Sequence, residues 1–198
     1  MKYTLILLLF AISIKSQLSL NISASDVENN NKLILIEIYN SSNSVYSIPI
    51  DTTDFQSICH SNMSVDFKPV VRIMYKKRSL TPKIGLLELN ETELDNINEN
   101  ENIPPKENKT EILKIKPKET LRISIIFNPF QFNVAKRKYS YYDILDKNNY
   151  TLTINIQGFN DETGIIRNDD NSINFKGSLI SNPISVSWNL KNRKYLKW

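Results

Sequence analysis

Apolar and polar residues alternate with a period of two through much of this chain. Tyr150–Gln157 reads YTLTINIQ, with Tyr150, Leu152, Ile154 and Ile156 on one face and Thr151, Thr153, Asn155 and Gln157 on the other. Successive strand side chains point to opposite faces, so the pattern predicts a half-buried antiparallel strand. The same logic predicts strands over Leu18–Ile22 (LSLNI), Leu121–Phe127 (LRISIIF) and Ile184–Trp188 (ISVSW), the last with Ile184, Val186 and Trp188 inward. Leu33–Tyr39 (LILIEIY) is more continuously apolar, which suits a strand covered on both faces for part of its length. Val45–Ile50 and Val70–Tyr75 add two β-branched and aromatic runs. No window carries an apolar stripe of helical period over three turns; Thr92–Ile97 makes at most a short turn.

Turn residues separate these runs. Asn40–Ser44 (NSSNS) predicts a turn between two strands, Asn148–Asn149 precedes the strongest strand, and Pro117 sets a turn ahead of the Leu121 strand. Two polar stretches read as long loops, Asn90–Thr110 with its Pro104–Pro105 pair and Gly158–Ser172. Neither half of the chain holds enough strands to close two sheets alone. The expectation is therefore one antiparallel β-sandwich over residues 17–190, with long polar loop insertions, the 90–110 loop mobile, and a basic tail over 191–198.

The N-terminal residues set an address. Lys2 precedes the apolar run Leu5–Ile14 (LILLLFAISI), and a small-residue exit at Ser16 leads to the polar chain from Gln17. This is the layout of a signal peptide over residues 1–16, too short to span a bilayer. The chain is expected to be exported, periplasmic or secreted, with no transmembrane segment once the leader is cleaved. Charge then adds little. Of 25 basic residues, Lys2 and Lys15 leave with the leader, so 23 face 21 acidic ones, a net of +2. Near balance gives no reason to expect a nucleic-acid partner. Cys59 is the single cysteine, so no intrachain disulfide forms, and it reads as a small buried hydrophobe. His60 adjoins it but points to the opposite face if the segment is a strand.

Asp146–Leu152 reads DKNNYTL. It resembles the tyrosine corner of immunoglobulin-like sandwiches, in which a turn with Asp leads through Tyr into a core strand and the phenol bonds back to turn backbone. Asp146, Asn148 and Tyr150 match that spacing, and Leu152 stands where antibody domains carry a cysteine. Leu33–Ser41 (LILIEIYNS), Leu113–Phe127 (LKIKPKETLRISIIF) and Ser181–Trp188 (SNPISVSW) are similar to strands of exported immunoglobulin-like proteins. Their order is like that of BsuPI-type proteinase-inhibitor domains, except that Lys118 stands where those proteins usually have glycine. The resemblance implies an immunoglobulin-like all-β sandwich, with protease inhibition as one possible activity.

Candidate chemistry is sparse. There is no P-loop, dinucleotide-binding glycine pattern, nucleophile elbow or paired Cys/His spacing. Asp161, Glu162, Asp169 and Asp170 are a loop cluster with calcium-type ligands that matches no EF-hand; the same acids define an alternative, a hydrolase using loop carboxylates. Lys136–Tyr142 (KRKYSYY) follows Phe127–Phe132 and interleaves cations with aromatics. Phe127–Tyr142 reads as a loop-like segment, and Arg137, Tyr139 and Tyr141 are its binding candidates; otherwise its aromatics cap the core while its lysines stay solvated. Asn-x-Ser/Thr triplets begin at Asn21, Asn40, Asn62, Asn90, Asn108 and Asn149. The short leader and the Asn/Ile/Lys-rich composition suit a bacterial host, in which such triplets carry little meaning. Together these residues predict a non-catalytic binding or structural protein without cofactor or metal, whose partner is a protein, peptide or glycan.

Overall fold

The computed structural model describes residues 17–57, 67–86, 110–135, 138–159 and 171–190. The described residues contain no α-helix and form mostly antiparallel sheets. The strands are β1 (Leu18–Asp26), β2 (Lys32–Asn40), β3 (Tyr46–Ile50), β4 (Gln56–Ser57), β5 (Val70–Tyr75), β6 (Arg78–Ser79), β7 (Lys83–Leu86) and β8 (Glu111–Ile115). They continue with β9 (Thr120–Phe127), β10 (Phe132–Ala135), β11 (Lys138–Tyr141), β12 (Tyr150–Gln157), β13 (Ile173–Asn174), β14 (Ser178–Ile180) and β15 (Ile184–Val186).

One sheet runs in the order β1–β2–β9, all antiparallel. Its inner face is a block of aliphatics: Leu18, Leu20 and Ile22; Ile34, Ile36 and Ile38; Ile123, Ile125 and Phe127. Each lies two residues from the next, so one register buries them all, and a slip by one would expose them all. The intervening Ser19, Asn21, Ser23, Arg122 and Ser124 face solvent. Leu33, Leu35 and Glu37 are half-buried, so the second face of the LILIEIY run is covered only in part.

A second sheet runs β14–β12–β5–β4, with β15 also on β12 and β6 on β5. Tyr150, Leu152, Ile154 and Ile156 meet Val71 and Ile73 on its inner face. The inner faces of both sheets belong to one apolar cluster reaching from Leu18 to Trp188, an arrangement compatible with a β-sandwich. Two smaller sheets, β10–β11–β7 and β13–β3–β8, complete the described fold; β13 joins β3 in parallel.

The strands on β12 change partway along it. β14 pairs with Asn155–Gln157 and β15 with Tyr150–Leu152. Between them Pro183 has no N–H to offer the ladder. Ser181 fills the gap: its N–H donates to the Ile154 carbonyl and its Oγ accepts from the Ile154 N–H, both at 2.9 Å. Asn182 turns the other way. Its Oδ1 accepts from the Ile22 N–H at 2.8 Å, which ties the edge of β1 to the second sheet.

Phe127–Tyr142 is not a loop. After β9 a short turn leads into β10 and β11, and the aromatic side chains run into the core. Phe55, Phe127, Phe132 and Tyr142 form a chain of rings with centroids 5.3–5.4 Å apart, Phe132 and Tyr142 stacked within 9° of parallel. The Tyr142 hydroxyl donates to the buried Val71 carbonyl at 3.1 Å. Sequence expectation failed here because Tyr139 and Ser140 are both buried, so β11 has no alternation to read. At the C-terminal end, β15 stops at Val186, although Trp188 still points inward and is 2% exposed.

Asn40 joins three segments at the end of β2. Its side chain is fully buried, and Nδ2 donates to the carbonyls of Ser44, Ile115 and Lys116 at 2.8, 3.0 and 3.1 Å. Oδ1 accepts from the Ser42 N–H at 3.0 Å and from its hydroxyl at 2.7 Å. Backbone bonds add Asn40 N–H to the Glu119 carbonyl and Lys118 N–H to the Asn40 carbonyl. Lys118 meets this geometry with a left-handed φ of 61°, a region that glycine enters at less cost than lysine. Asn40→Ala takes a donor away from the buried Ile115 carbonyl and frees both turns. Urea unfolding is expected to show a loss of about 2–3 kcal/mol; an unchanged midpoint would remove Asn40 from this role.

Candidate functional site

The β1–β2 connection borders a polar cavity at one end of the first sheet. Val27–Asn31 closes on itself: the Val27 N–H donates to the Asn31 carbonyl at 3.2 Å and the Asn31 N–H to the Glu28 carbonyl at 3.3 Å. Asn30 takes a left-handed φ of 62°, which asparagine tolerates better than most residues. Opposite lies Ser187–Asn189, just past β15. The cavity between them holds about 470 Å³ and is lined chiefly by polar side chains, among them Asp26, Glu28, Asn31 and Lys32, with Trp188 as its aromatic wall.

Lys32 lies in the inward register of β2, two residues before Ile34, and is only 7% exposed. Its ammonium pairs with Asp26, directly across the last rung of the β1–β2 ladder, and rests 5.5 Å from the Trp188 ring centroid. An aromatic face attracts a cation through its quadrupole, so the ring and the carboxylate share the task of holding this charge. Two side-chain atoms of residues that line the cavity, the Trp188 Nε1–H donor and the Asn31 Oδ1 acceptor, are themselves buried and make no hydrogen bond within the protein. Sequence reasoning missed this site. Its signal was a lysine on the inward face of an otherwise aliphatic strand.

The cavity adjoins the tyrosine turn. Tyr150 is 2% exposed, and its ring lies 5.7 Å from that of Trp188 and 5.3 Å from that of Tyr75. Its hydroxyl accepts from the Leu145 N–H at 2.7 Å. Asp146 is exposed and serves the neighbouring segment, accepting from the Leu190 N–H at 2.8 Å, while the Lys147 N–H donates to the Trp188 carbonyl at 3.0 Å. The turn therefore holds both Tyr150 and the segment past β15 that carries Trp188.

The expected contact residues sit elsewhere. Tyr139 is buried in β11, its ring laid over Gly85 of β7, where even a Cβ would come within 2.3 Å of the ring. It is therefore not an exposed anchor. Tyr141 is half-buried, 5.9 Å from Tyr139 between ring centroids. Arg137, Cys59, His60, the acids Asp161, Glu162, Asp169 and Asp170, and the 191–198 tail lie outside the described residues. Among the described residues no group of three or more His, Cys, Asp or Glu side chains converges, and no helix is long and apolar enough to cross a membrane. No protein-family model, curated protein or solved structure matches the chain. What defines its class is the all-β, mostly antiparallel architecture.

Two predictions follow from these contacts. Tyr150→Phe keeps the ring and removes the acceptor of the Leu145 N–H; it is expected to cost about 1 kcal/mol in chemical denaturation. No measurable shift would mean that water replaces the bond. On β7, Lys83 pairs with exposed Asp143, and the hydrogen bond and then the charge of that carboxylate raise the lysine above its ordinary value of 10.5. A raised value favours the folded state below that ordinary pH and the effect fades as pH climbs through the folded value, although water screens an exposed pair. In Asp143→Asn, the Lys83 titration followed by NMR is expected to fall back toward an ordinary lysine. An unmoved midpoint would rule out Asp143 as the cause.

Proposed function

We propose that the chain is an exported, immunoglobulin-like β-sandwich that acts by binding rather than catalysis, with the cavity beside Trp188 as its contact site. Two topological facts support the architecture. β1, β2 and β9 pair in the manner of strands A, B and E of such domains, and β5, β12 and β14/β15 in the manner of C, F and G. Tyr150 begins the strand equivalent to F, where these domains carry their corner tyrosine.

The observation that carries the binding reading is the pair of unmet atoms, Trp188 Nε1–H and Asn31 Oδ1. A buried polar group without a partner costs about 1–3 kcal/mol, so a cavity that keeps one donor and one acceptor in that state gains by admitting a group that satisfies both. A secondary amide offers one acceptor and one donor. Peptides and acetamido sugars both supply it. Lys32 lies over the Trp188 ring and is tied to the exposed Asp26, so its flexible side chain is the gate that such a group displaces.

The chain has two tryptophans, so Trp198→Phe leaves Trp188 as the sole indole. Its N–H resonance is expected to shift saturably on titration with acetyl-triglycine amide or N,N′-diacetylchitobiose and to stay put with maltose, which has no amide. Asn31→Ala is expected to abolish the shift. An indole signal indifferent to both amide probes would refute the cavity as a contact site.

A further inference from the structure

We propose that Asn21 and Asn149 carry N-linked glycans and that Asn40, although it begins the same kind of triplet, remains bare. This rests on the export reading, in its secreted form, along a route that carries a membrane oligosaccharyltransferase, and it replaces the bacterial host that the composition suits. The transfer joins the asparagine Nδ2 to the anomeric carbon of a lipid-pyrophosphate-linked oligosaccharide. The bond from that carbon to the pyrophosphate oxygen breaks, the lipid pyrophosphate leaves with the electron pair, and one carboxamide proton passes to base. The product therefore keeps a single N–H on Nδ2 and needs open space beyond it.

The fold sorts the described triplets by these two needs. In a strand, residues i and i+2 share a face, so the asparagine and the hydroxyl residue of a triplet point the same way. In β1 that face is the outer one: Asn21 and Ser23 are exposed, and Ile22 between them is buried. At the start of β12, Asn149 is exposed, Thr151 is half-buried on the outer face and Tyr150 is buried between them. Neither carboxamide makes a hydrogen bond among the described residues. Asn40 is the opposite case. Its side chain is 0% exposed, and its Nδ2 is committed to the carbonyls of Ser44, Ile115 and Lys116. A sugar on that nitrogen removes a donor and has no room, so a chain modified there does not reach this fold. Asn62, Asn90 and Asn108 lie outside the described residues.

Across the ladder from β1, the neighbours of Asn21, Ser19 and Ser23, face Tyr39 and Leu35, and Ile126 lies one strand further on opposite Leu33. Tyr39 and Ile126 are 37% and 60% exposed at opposite ends of this outer face, and the Glu37–Arg122 ion pair lies between them, directly across from Asn21. A glycan rooted at Asn21 projects from this polar surface into solvent.

The test is peptide mapping of the full chain isolated from its host, before and after PNGase F, which converts an occupied asparagine to aspartate. Conversion is expected at Asn21 and Asn149 and not at Asn40, and Ser23→Ala is expected to abolish conversion at Asn21 alone. Either site bare on a chain that begins near Gln17 refutes the glycan there and leaves the export reading standing. Conversion of Asn40 in folded material refutes the sorting by burial. An intact Met1 in the cytoplasmic fraction overturns both the export reading and the glycans.

Discussion

The buried carboxamide of Asn40 holds the described fold at its most connected point. One side chain satisfies backbone groups from the turn it begins, from the end of β8 and from the turn before β9. The lengths and register of β2, β3, β8 and β9 meet there. Apolar burial drives the sheets together without direction, since it depends on area rather than angle. Direction comes from groups such as this, which tolerate only one arrangement of the backbone around them. The asparagine is thus worth more as a specifier of geometry than its handful of hydrogen bonds contributes to stability.

A second polar junction does the same work between sheets. Ser181, Asn182 and Pro183 interrupt the strand that follows the second long loop, and each residue has a distinct part. The proline ends the ladder, the serine repairs β12, and the asparagine reaches across to Ile22 of β1. The edge of β1 is thereby partly closed, which matters because an open edge is a template for unwanted pairing. Its outer face carries Ser19, Asn21, Ser23 and Ser25, small polar groups that leave room for a large substituent.

The strands with full alternation were legible in the sequence, and the physical reason is plain. β1, β9 and β12 are eight or nine residues long and have one face against the core, so their periodicity repeats enough times to be read; β2 and β5 were read from their apolar and β-branched content instead. β4, β6 and β13 have two residues each, too few for any period, and they form because neighbouring strands offer them partners. β10 and β11 were hidden for another reason. Their cations and tyrosines look like a solvated loop, but the tyrosines pack on Gly85 and on the ring chain through Phe132, so composition pointed outward while packing drew inward. Tertiary contact outweighs local preference in such strands.

The cavity shows what sequence periodicity can reveal when it is followed to its ends. Extending the inward face of β2 back from Ile38, Ile36 and Ile34 arrives at Lys32, an ionised side chain where an aliphatic one is expected. A charge is not left in such a position without compensation. Here it has the Asp26 carboxylate across the ladder and the Trp188 ring beneath it. The ring in turn is fixed by Tyr150 and by the turn that binds the Trp188 carbonyl. Tyr150 therefore packs on the tryptophan, and the tryptophan ring supports the lysine. Tyr150 thus has two structural parts: it begins a core strand, and its ring backs the aromatic wall of the cavity.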